Sequence, residues 1–217
     1  MIRAIIFDHD GTLVDSERKH YQMWVSILAD FGIDFTEYEY KTYLAGVPTR
    51  TNADYLVETY KLPISQDELF ARREKLTHAA FSHGASPMII GARELVQWTF
   101  ARNLKMAIAT GAARLEVKPT LDQYKLHDYF PIVATREDVQ NVKPAPDVYL
   151  YAMQQLGLRA CECIAIEDSP TGMQSALAAG LECVVVQNDY SRGHDFSCAT
   201  VVVDSMQQAR QWLIERL

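Results

Sequence analysis

Six short apolar runs, rich in isoleucine and valine, are the feature that most restricts the fold of this chain. The runs are IRAIIFD (2–8), KMAIAT (105–110), FPIVAT (130–135), CIAIED (163–168), CVVVQN (183–188) and TVVVD (200–204). They lack clean alternation of apolar and polar residues, as is typical of parallel strands covered on both faces. Helix-like segments lie between most of them, including 92–103, 146–156 and 171–179, and Gly157 and Gly180 stand where helices would end. The pattern predicts an α/β fold with a doubly wound parallel sheet.

The segment between the first two runs departs from this rhythm. No strand is evident from residue 16 to residue 84, and apolar residues recur at helical spacing from Tyr21 onward. Further helices are expected around 37–44, 50–60 and 66–82. We therefore predict a helical domain at 16–84, called the helical insertion below, within a core formed by 1–15 and 85–217. The stretch HGASP (83–87) is the expected return linker.

Charge, hydropathy and cysteine usage narrow the class of protein. The net charge of −7 argues against a nucleic-acid-binding surface. No apolar run approaches the roughly 20 residues of a membrane span, and the start of the chain has no secretory signal pattern. The cysteines Cys161, Cys163, Cys183 and Cys198 form no CxxC pair and lie in or near strand-like runs, so we expect buried free thiols. A cytoplasmic protein is predicted, without nucleic-acid or membrane partners.

Polar and charged side chains stand where the predicted strands end. They are Asp8 and Asp10 after the first run, Thr110 and Gly111 after the second, Lys143 in the loop that follows the third, and Glu167 and Asp168 after the fourth. The carboxyl ends of parallel strands meet at one edge of a sheet, where open α/β sheets bind ligands. Buried carboxylates this close together are costly unless a cation pairs with them. A cation site is therefore expected at this edge.

The residue types at this edge suit Mg²⁺ and a phosphate group. Mg²⁺ prefers hard oxygen ligands, which Asp8, Glu167 and Asp168 could supply together with the backbone carbonyl of Asp10. Thr110 and the amides that follow it, Gly111 first, could donate hydrogen bonds to phosphate oxygens. Glu167 is either a direct ligand or a supporting group, because adjacent residues of an extended strand point to opposite faces.

Lys143 would add a positive point charge near the phosphate. Prolines at 144 and 146 stiffen the loop that carries it. His9, between the two aspartates, is expected to pack on the face away from the site. Cys161 and Cys163 are expected to share one strand face in the core.

Four motifs occur in an order that resembles the haloacid dehalogenase-like superfamily. They are DHDGT (8–12), IAT ending at Thr110, KPAPD beginning at Lys143, and IEDSPTG (166–172). A helical insertion after the first motif is similar to the subgroup that holds the β-phosphoglucomutase-like phosphatases. The resemblance implies that Asp8 is a nucleophile that accepts phosphate, and that Asp10 is the general acid and base. Aspartates at positions 8 and 10 favour phosphoryl transfer over dehalogenation.

Two residues of the helical insertion match substrate-contacting positions in that resemblance. His20 lies one helical turn after Ser16, at the position where β-phosphoglucomutase, called the mutase below, has a histidine. Arg50 lies one residue later in its loop than the corresponding arginine of the mutase. The mutase's lysine falls near Arg73, with Lys75 two residues further on. An arginine therefore stands near the position where the mutase has a lysine, and this difference favours a phosphatase over a mutase.

The combined interpretation is a Mg²⁺-dependent phosphatase of a small phosphorylated metabolite, acting through an aspartyl-phosphate and expected to be a monomer. By analogy with the family, a sugar phosphate is the leading substrate class. Two alternatives remain open at this point. One is a phosphomutase of the β-phosphoglucomutase type, and the other is a non-catalytic protein that binds a phosphorylated ligand.

Overall fold

A parallel sheet forms the centre of the protein. The computed structural model describes residues 1–82 and 84–217, and within these residues six strands form one sheet in the order β3-β2-β1-β4-β5-β6. The strands are β1 (Ala4–Phe7), β2 (Lys105–Ala109), β3 (Ile132–Ala134), β4 (Cys163–Glu167), β5 (Glu182–Val186) and β6 (Val201–Val203). Every neighbouring pair is parallel. The predicted α/β fold with a doubly wound parallel sheet is confirmed.

Helices cover both faces of this sheet. They are α5 (Ala92–Ala101), α6 (Arg114–Tyr124), α7 (Asp147–Leu156), α8 (Pro170–Ala178) and α9 (Met206–Arg216). Alternate residues of β1 serve different faces: Ala4 and Ile6 pack with α7 and α8, while Ile5 and Phe7 pack with α5, α6 and α9. Because both faces are apolar, the strand sequences show no alternation of apolar and polar residues.

In the described part of the chain, four α-helices lie between β1 and α5. They are α1 (Glu17–Ala29), α2 (Glu37–Glu39), which continues as a π-helix (Tyr40–Leu44), α3 (Thr49–Tyr60) and α4 (Gln66–Phe81). They share a hydrophobic cluster of their own, in which Trp24, Leu28, Leu44, Leu56 and Leu69 are buried. The predicted helices of this region are therefore present. The first residue of the predicted linker, His83, lies outside the described residues.

Polar contacts join the helical insertion to the core near the carboxyl ends of the strands. Thr171 donates a hydrogen bond from its hydroxyl to the carbonyl of Gly46. A side chain at Gly46 would place its Cβ 2.6 Å from Cβ of Ser169. Only glycine therefore allows the backbone at residue 46 to lie this close to Ser169. Arg136 of the core forms a two-pronged ion pair with Glu74 of α4. These contacts enclose a space between the insertion and the sheet edge.

The cysteines depart in part from the prediction. All four thiols are free, and Cys163 and Cys183 are buried, but Cys161 and Cys198 are exposed. The reason is local: Cys161 belongs to a short 3₁₀ turn (Ala160–Glu162) that precedes β4, so it does not share a strand face with Cys163. Among the described residues, no helix combines the length and the apolar character needed to cross a membrane.

Candidate active site

A buried lysine joins two carboxylates at the edge of the sheet. Lys143 donates hydrogen bonds of 2.6 Å to Oδ1 of Asp8 and of 2.6 Å to Oε1 of Glu167. Tyr149, on α7, donates a further 2.6 Å hydrogen bond to the same Glu167 oxygen. Burial raises the pKa of Asp8 to about 7, although the Lys143 ammonium opposes this. Burial acts against the charge of Lys143, but the two carboxylates raise its pKa overall.

Asp8, Glu167 and Asp168 form the acidic cluster that the sequence predicts. Each offers a carboxylate oxygen, and these oxygens lie within 4.8 Å of one another. Asp168 is also buried, and its burial and the charges of Asp8 and Glu167 raise its pKa well above the usual value. When all three acids are ionised, one lysine does not balance their charges, and a bound cation would relieve the repulsion. Hard carboxylate oxygens in this arrangement fit a Mg²⁺ ion.

Glycines allow the backbone to pass close to these acids. A Cβ at Gly172 would overlap the carboxylate of Glu167, and a Cβ at Gly11 would overlap that of Asp168. Gly11 also has a positive φ of 74°, which side chains rarely permit. Asn188, which follows β5, donates hydrogen bonds to Asp168 (2.7 Å) and to the carbonyl of Gly11 (3.2 Å). Asn188 therefore fixes the relative positions of the first and fourth motifs.

The carboxylate of Asp10 is held by contacts from three directions. The hydroxyl of Ser16 donates a 2.5 Å hydrogen bond to Oδ1, and Nε2 of His20 lies 3.6 Å from the same oxygen. Nδ1 of His9 lies 3.3 Å from Oδ2. Burial raises the pKa of Asp10, but His9 and His20 outweigh it and lower that pKa well below the usual value. The ionised form of Asp10 is thus favoured in the ligand-free chain.

His9 is buried, and its Nε2 lies 2.9 Å from the hydroxyl oxygen of Thr120 on α6. The sequence predicts that His9 packs on the face away from the site, and the contact with α6 alone would be compatible with that prediction. Its other ring nitrogen, however, contacts the carboxylate of Asp10, so His9 is part of the surroundings of the site.

Thr110 and Gly111 lie in the turn after β2 and line the same cavity as Asp8. The buried Thr110 hydroxyl accepts a 3.0 Å hydrogen bond from the backbone N–H of Ala112. Accepting this bond stabilises the turn and leaves the hydroxyl hydrogen free to donate to an anion. The structural role and the predicted phosphate-binding role are therefore compatible.

His20 is brought to the site, and a buried arginine determines its orientation. Nη2 of Arg73 lies 2.6 Å from Nδ1 of His20, and Arg73 also donates to the hydroxyl of Thr77. Because a guanidinium can only donate, Nδ1 of His20 accepts, and in the neutral ring Nε2 carries the hydrogen that faces Asp10. The sequence comparison placed Arg73 near the position of the β-phosphoglucomutase lysine but assigned it no role, and no local motif marks it.

Arg50, unlike His20, does not contact the acids at the sheet edge in the part of the chain that the structure describes. Its side chain is 53% exposed at the mouth of the cavity, and it pairs with Asp67 of α4. It makes no hydrogen bond to the acids of the site within the described part of the chain. Its predicted contact with substrate stays a prediction.

The cavity between the insertion and the sheet edge has a volume of about 240 Å³. Its lining includes residues for which the sequence predicted no place in the site, namely Glu17, Trp24, Asn52, Glu116 and Arg136. These come from helices and loops without a motif. Asn188 could have been found, because it also stands at the carboxyl end of a predicted strand.

Comparison with known proteins agrees with this fold. A family model described as haloacid dehalogenase-like hydrolase matches residues 5–186. The chain belongs to this family.

Among curated proteins, the protein CbbY of Rhodobacter capsulatus is 32% identical over 224 aligned residues, covering 100% of this chain and 99% of the relative. The fructose-1-phosphate phosphatase YqaB of Escherichia coli is 28% identical, covering 85% of this chain and 96% of the relative. Among solved structures, the β-phosphoglucomutase of Clostridium difficile has a TM-score of 0.82 at 23% identity, with coverage of 100% and 96%, and shows the likeness of the fold. The predicted family and enzyme class, a phosphoric monoester hydrolase, are confirmed.

Proposed function

We propose that this protein is a Mg²⁺-dependent phosphatase of a small sugar phosphate and acts through an aspartyl-phosphate on Asp8. The observation that carries the proposal is the contact of Asp8 with Lys143 beside an acidic cluster, at the floor of a cavity. The similarity to a relative named as a fructose-1-phosphate phosphatase supports the substrate class.

In the proposed reaction, a carboxylate oxygen of Asp8 attacks the phosphorus of the ester, and the bond from phosphorus to the leaving oxygen breaks. Asp10 gives a proton to that oxygen and then removes one from the water that hydrolyses the aspartyl-phosphate. The ionised state that His9 and His20 favour suits the second of these steps. Lys143, Thr110 and the backbone at Gly111 hold the phosphate oxygens.

Asp8 and Asp168 would hold the metal ion, together with the Asp10 carbonyl and with Glu167 as a ligand or a support. When bound, Mg²⁺ would neutralise negative charge shared by the acids and the phosphate group. The assignment of Mg²⁺ to this site rests on the carboxylate oxygens of the acidic cluster, and on the negative charge that Lys143 alone does not balance when these acids are ionised.

The helical insertion at 16–84 would act as a cap domain that excludes water and contacts the leaving group, with His20 and Arg50 on its inner side. A monomer in the cytoplasm, with no nucleic-acid or membrane partner, is part of the proposal.

A screen of sugar phosphates with detection of inorganic phosphate tests the proposal. We expect metal-dependent release of phosphate from at least one sugar phosphate. Incubation with glucose 1-phosphate and a trace of the bisphosphate, followed by product analysis, separates a phosphatase from a mutase. An isomerised sugar phosphate without free phosphate would contradict the proposal.

A further inference from the structure

One buried carboxylate of the cavity has no part in the proposed chemistry. Glu116 of α6 is only 5% exposed and lines the same cavity as Asp8 and Asp10. Its Oε1 accepts a 2.8 Å hydrogen bond from the backbone N–H of Ala113. Within residues 1–82 and 84–217, no group donates a hydrogen bond to its other oxygen. A buried carboxylate is costly unless its oxygens are satisfied, so this free oxygen is available to a ligand.

In the described part of the chain, the arginines that line the cavity each have hydrogen-bond partners, although Nε of the buried Arg73 has none. Arg73 donates to His20 and Thr77, and Arg136 is paired with Glu74 of α4. Arg50, at the mouth, is paired with Asp67. The second oxygen of Glu116 is an acceptor with negative charge, and it suits a ligand that donates hydrogen bonds.

The surroundings of Glu116 place it near the leaving group. Glu116 lies at the start of α6, after the turn that carries Thr110 and Gly111, and these residues line the same cavity as Asp10 and His20. Asp10 is the group proposed to protonate the leaving oxygen. A carboxylate on this wall of the cavity, beside the turn proposed to hold the phosphate, would meet the carbon atoms closest to the ester bond.

We propose that Glu116 is a specificity-determining residue whose free oxygen accepts a hydrogen bond from a hydroxyl group of the leaving alcohol. This inference rests on the proposed phosphatase function and deepens it. The enzyme then favours phosphate esters of neutral polyols and sugars, because their hydroxyl groups satisfy Glu116. It disfavours phosphate esters of hydroxy acids, because their carboxylate would face the carboxylate of Glu116.

If Glu116 only capped α6, it would need only Oε1, which accepts the hydrogen bond from Ala113. Capping Ala113 at the start of α6 requires one acceptor, and the carbonyl of a glutamine supplies it. Glu116→Gln therefore keeps the cap and removes the charge. Glu116→Asp keeps the charge and shortens the reach.

The test compares two esters of similar size, 2-hydroxyethyl phosphate and 2-phosphoglycolate, which differ in a hydroxymethyl group against a carboxylate. For each protein, kcat/KM is measured for both esters with Mg²⁺ present. We expect wild type to prefer 2-hydroxyethyl phosphate, and Glu116→Gln to reduce that preference about 10- to 100-fold, the range for a hydrogen bond to a charged group. Glu116→Asp should still reject 2-phosphoglycolate. The exposed Glu94 of α5 offers a matched control, since Glu94→Gln should leave the preference unchanged.

Equal losses on both esters in Glu116→Gln would overturn the inference and leave Glu116 with the cap alone. A wild-type preference for 2-phosphoglycolate would also overturn it. Absence of hydrolysis of any monoester by wild type would instead overturn the proposed function, and this inference with it.

Discussion

Lys143 Nζ lies 2.6 Å from Oδ1 of Asp8, although the two residues are 135 positions apart in the sequence. Both side chains are buried, so the pair is shielded from solvent. The lysine therefore holds one oxygen of the proposed nucleophile and places positive charge beside the phosphate position. The proposed function depends on this contact.

Lys143→Ala should lower kcat/KM for every phosphate ester, because each carries the group that Lys143 holds. Arg50→Ala should act selectively, since Arg50 lies at the mouth of the cavity, where only larger leaving groups reach. The measurement is a pair of substrate profiles from p-nitrophenyl phosphate to a hexose phosphate. Selective losses for Lys143→Ala, or uniform losses for Arg50→Ala, would contradict this division.

Removal of divalent metal should abolish phosphate release, and Mg²⁺ should restore it. The reason is the crowding of Asp8, Glu167 and Asp168, whose charges Lys143 alone does not balance. Activity is measured after chelation and dialysis and again after titration with Mg²⁺. Full turnover by chelated protein with no bound metal would remove the basis for a cation site.

The side chains at the carboxyl-terminal edge of the sheet could be predicted from the sequence, because they directly follow the apolar runs that form the strands. Asp8, Thr110 and Asp168 each come directly after a buried strand, so topology alone brings them together. Glu167 could be assigned from the sequence only as a ligand or a supporting group, because strand alternation would point Glu167 and Asp168 to opposite faces. β4 ends at Glu167, so alternation does not extend to Asp168, and both acids reach the cluster.

The wall of the cavity could not be predicted in the same way. Arg73 and Glu116 occupy ordinary helical positions, and their importance follows from how the insertion packs over the sheet. Arg50 was selected from its position after a turn motif, and the sequence did not predict that it lies at the mouth of the cavity and pairs with Asp67. Long-range packing of helices determines both outcomes.

Asp10→Asn should reduce turnover by about 10²- to 10⁴-fold on alkyl phosphates, the usual contribution of general acid–base catalysis. The reduction should be smaller for p-nitrophenyl phosphate, whose leaving group needs little protonation. Rates across a series of leaving groups of graded pKa give the measurement. Ser16→Ala, which removes one hydrogen bond to Asp10, should have a milder effect in the same direction. A loss that does not depend on the leaving group would contradict the acid role of Asp10.

Gly172→Ala should lower both thermal stability and Mg²⁺ affinity, because its Cβ would overlap the carboxylate of Glu167. Substitutions that overpack a core cost about 1–3 kcal/mol of the free energy of unfolding. The matched control is Gln174→Ala, an exposed position on the same helix. Thermal unfolding and Mg²⁺ titration are measured for both variants. Wild-type values for Gly172→Ala would show that Glu167 does not need its present position.

The central claim is that phosphate is transferred to Asp8. The most direct measurement is acid quenching during turnover, followed by borohydride reduction, which converts an aspartyl-phosphate to homoserine, and peptide mass spectrometry. Asp10→Asn is the protein of choice, because slow hydrolysis should let the aspartyl-phosphate accumulate. We expect homoserine at position 8, and no such product in Asp8→Asn, which should also be inactive. Homoserine at another aspartate, or sustained turnover by Asp8→Asn, would contradict the account.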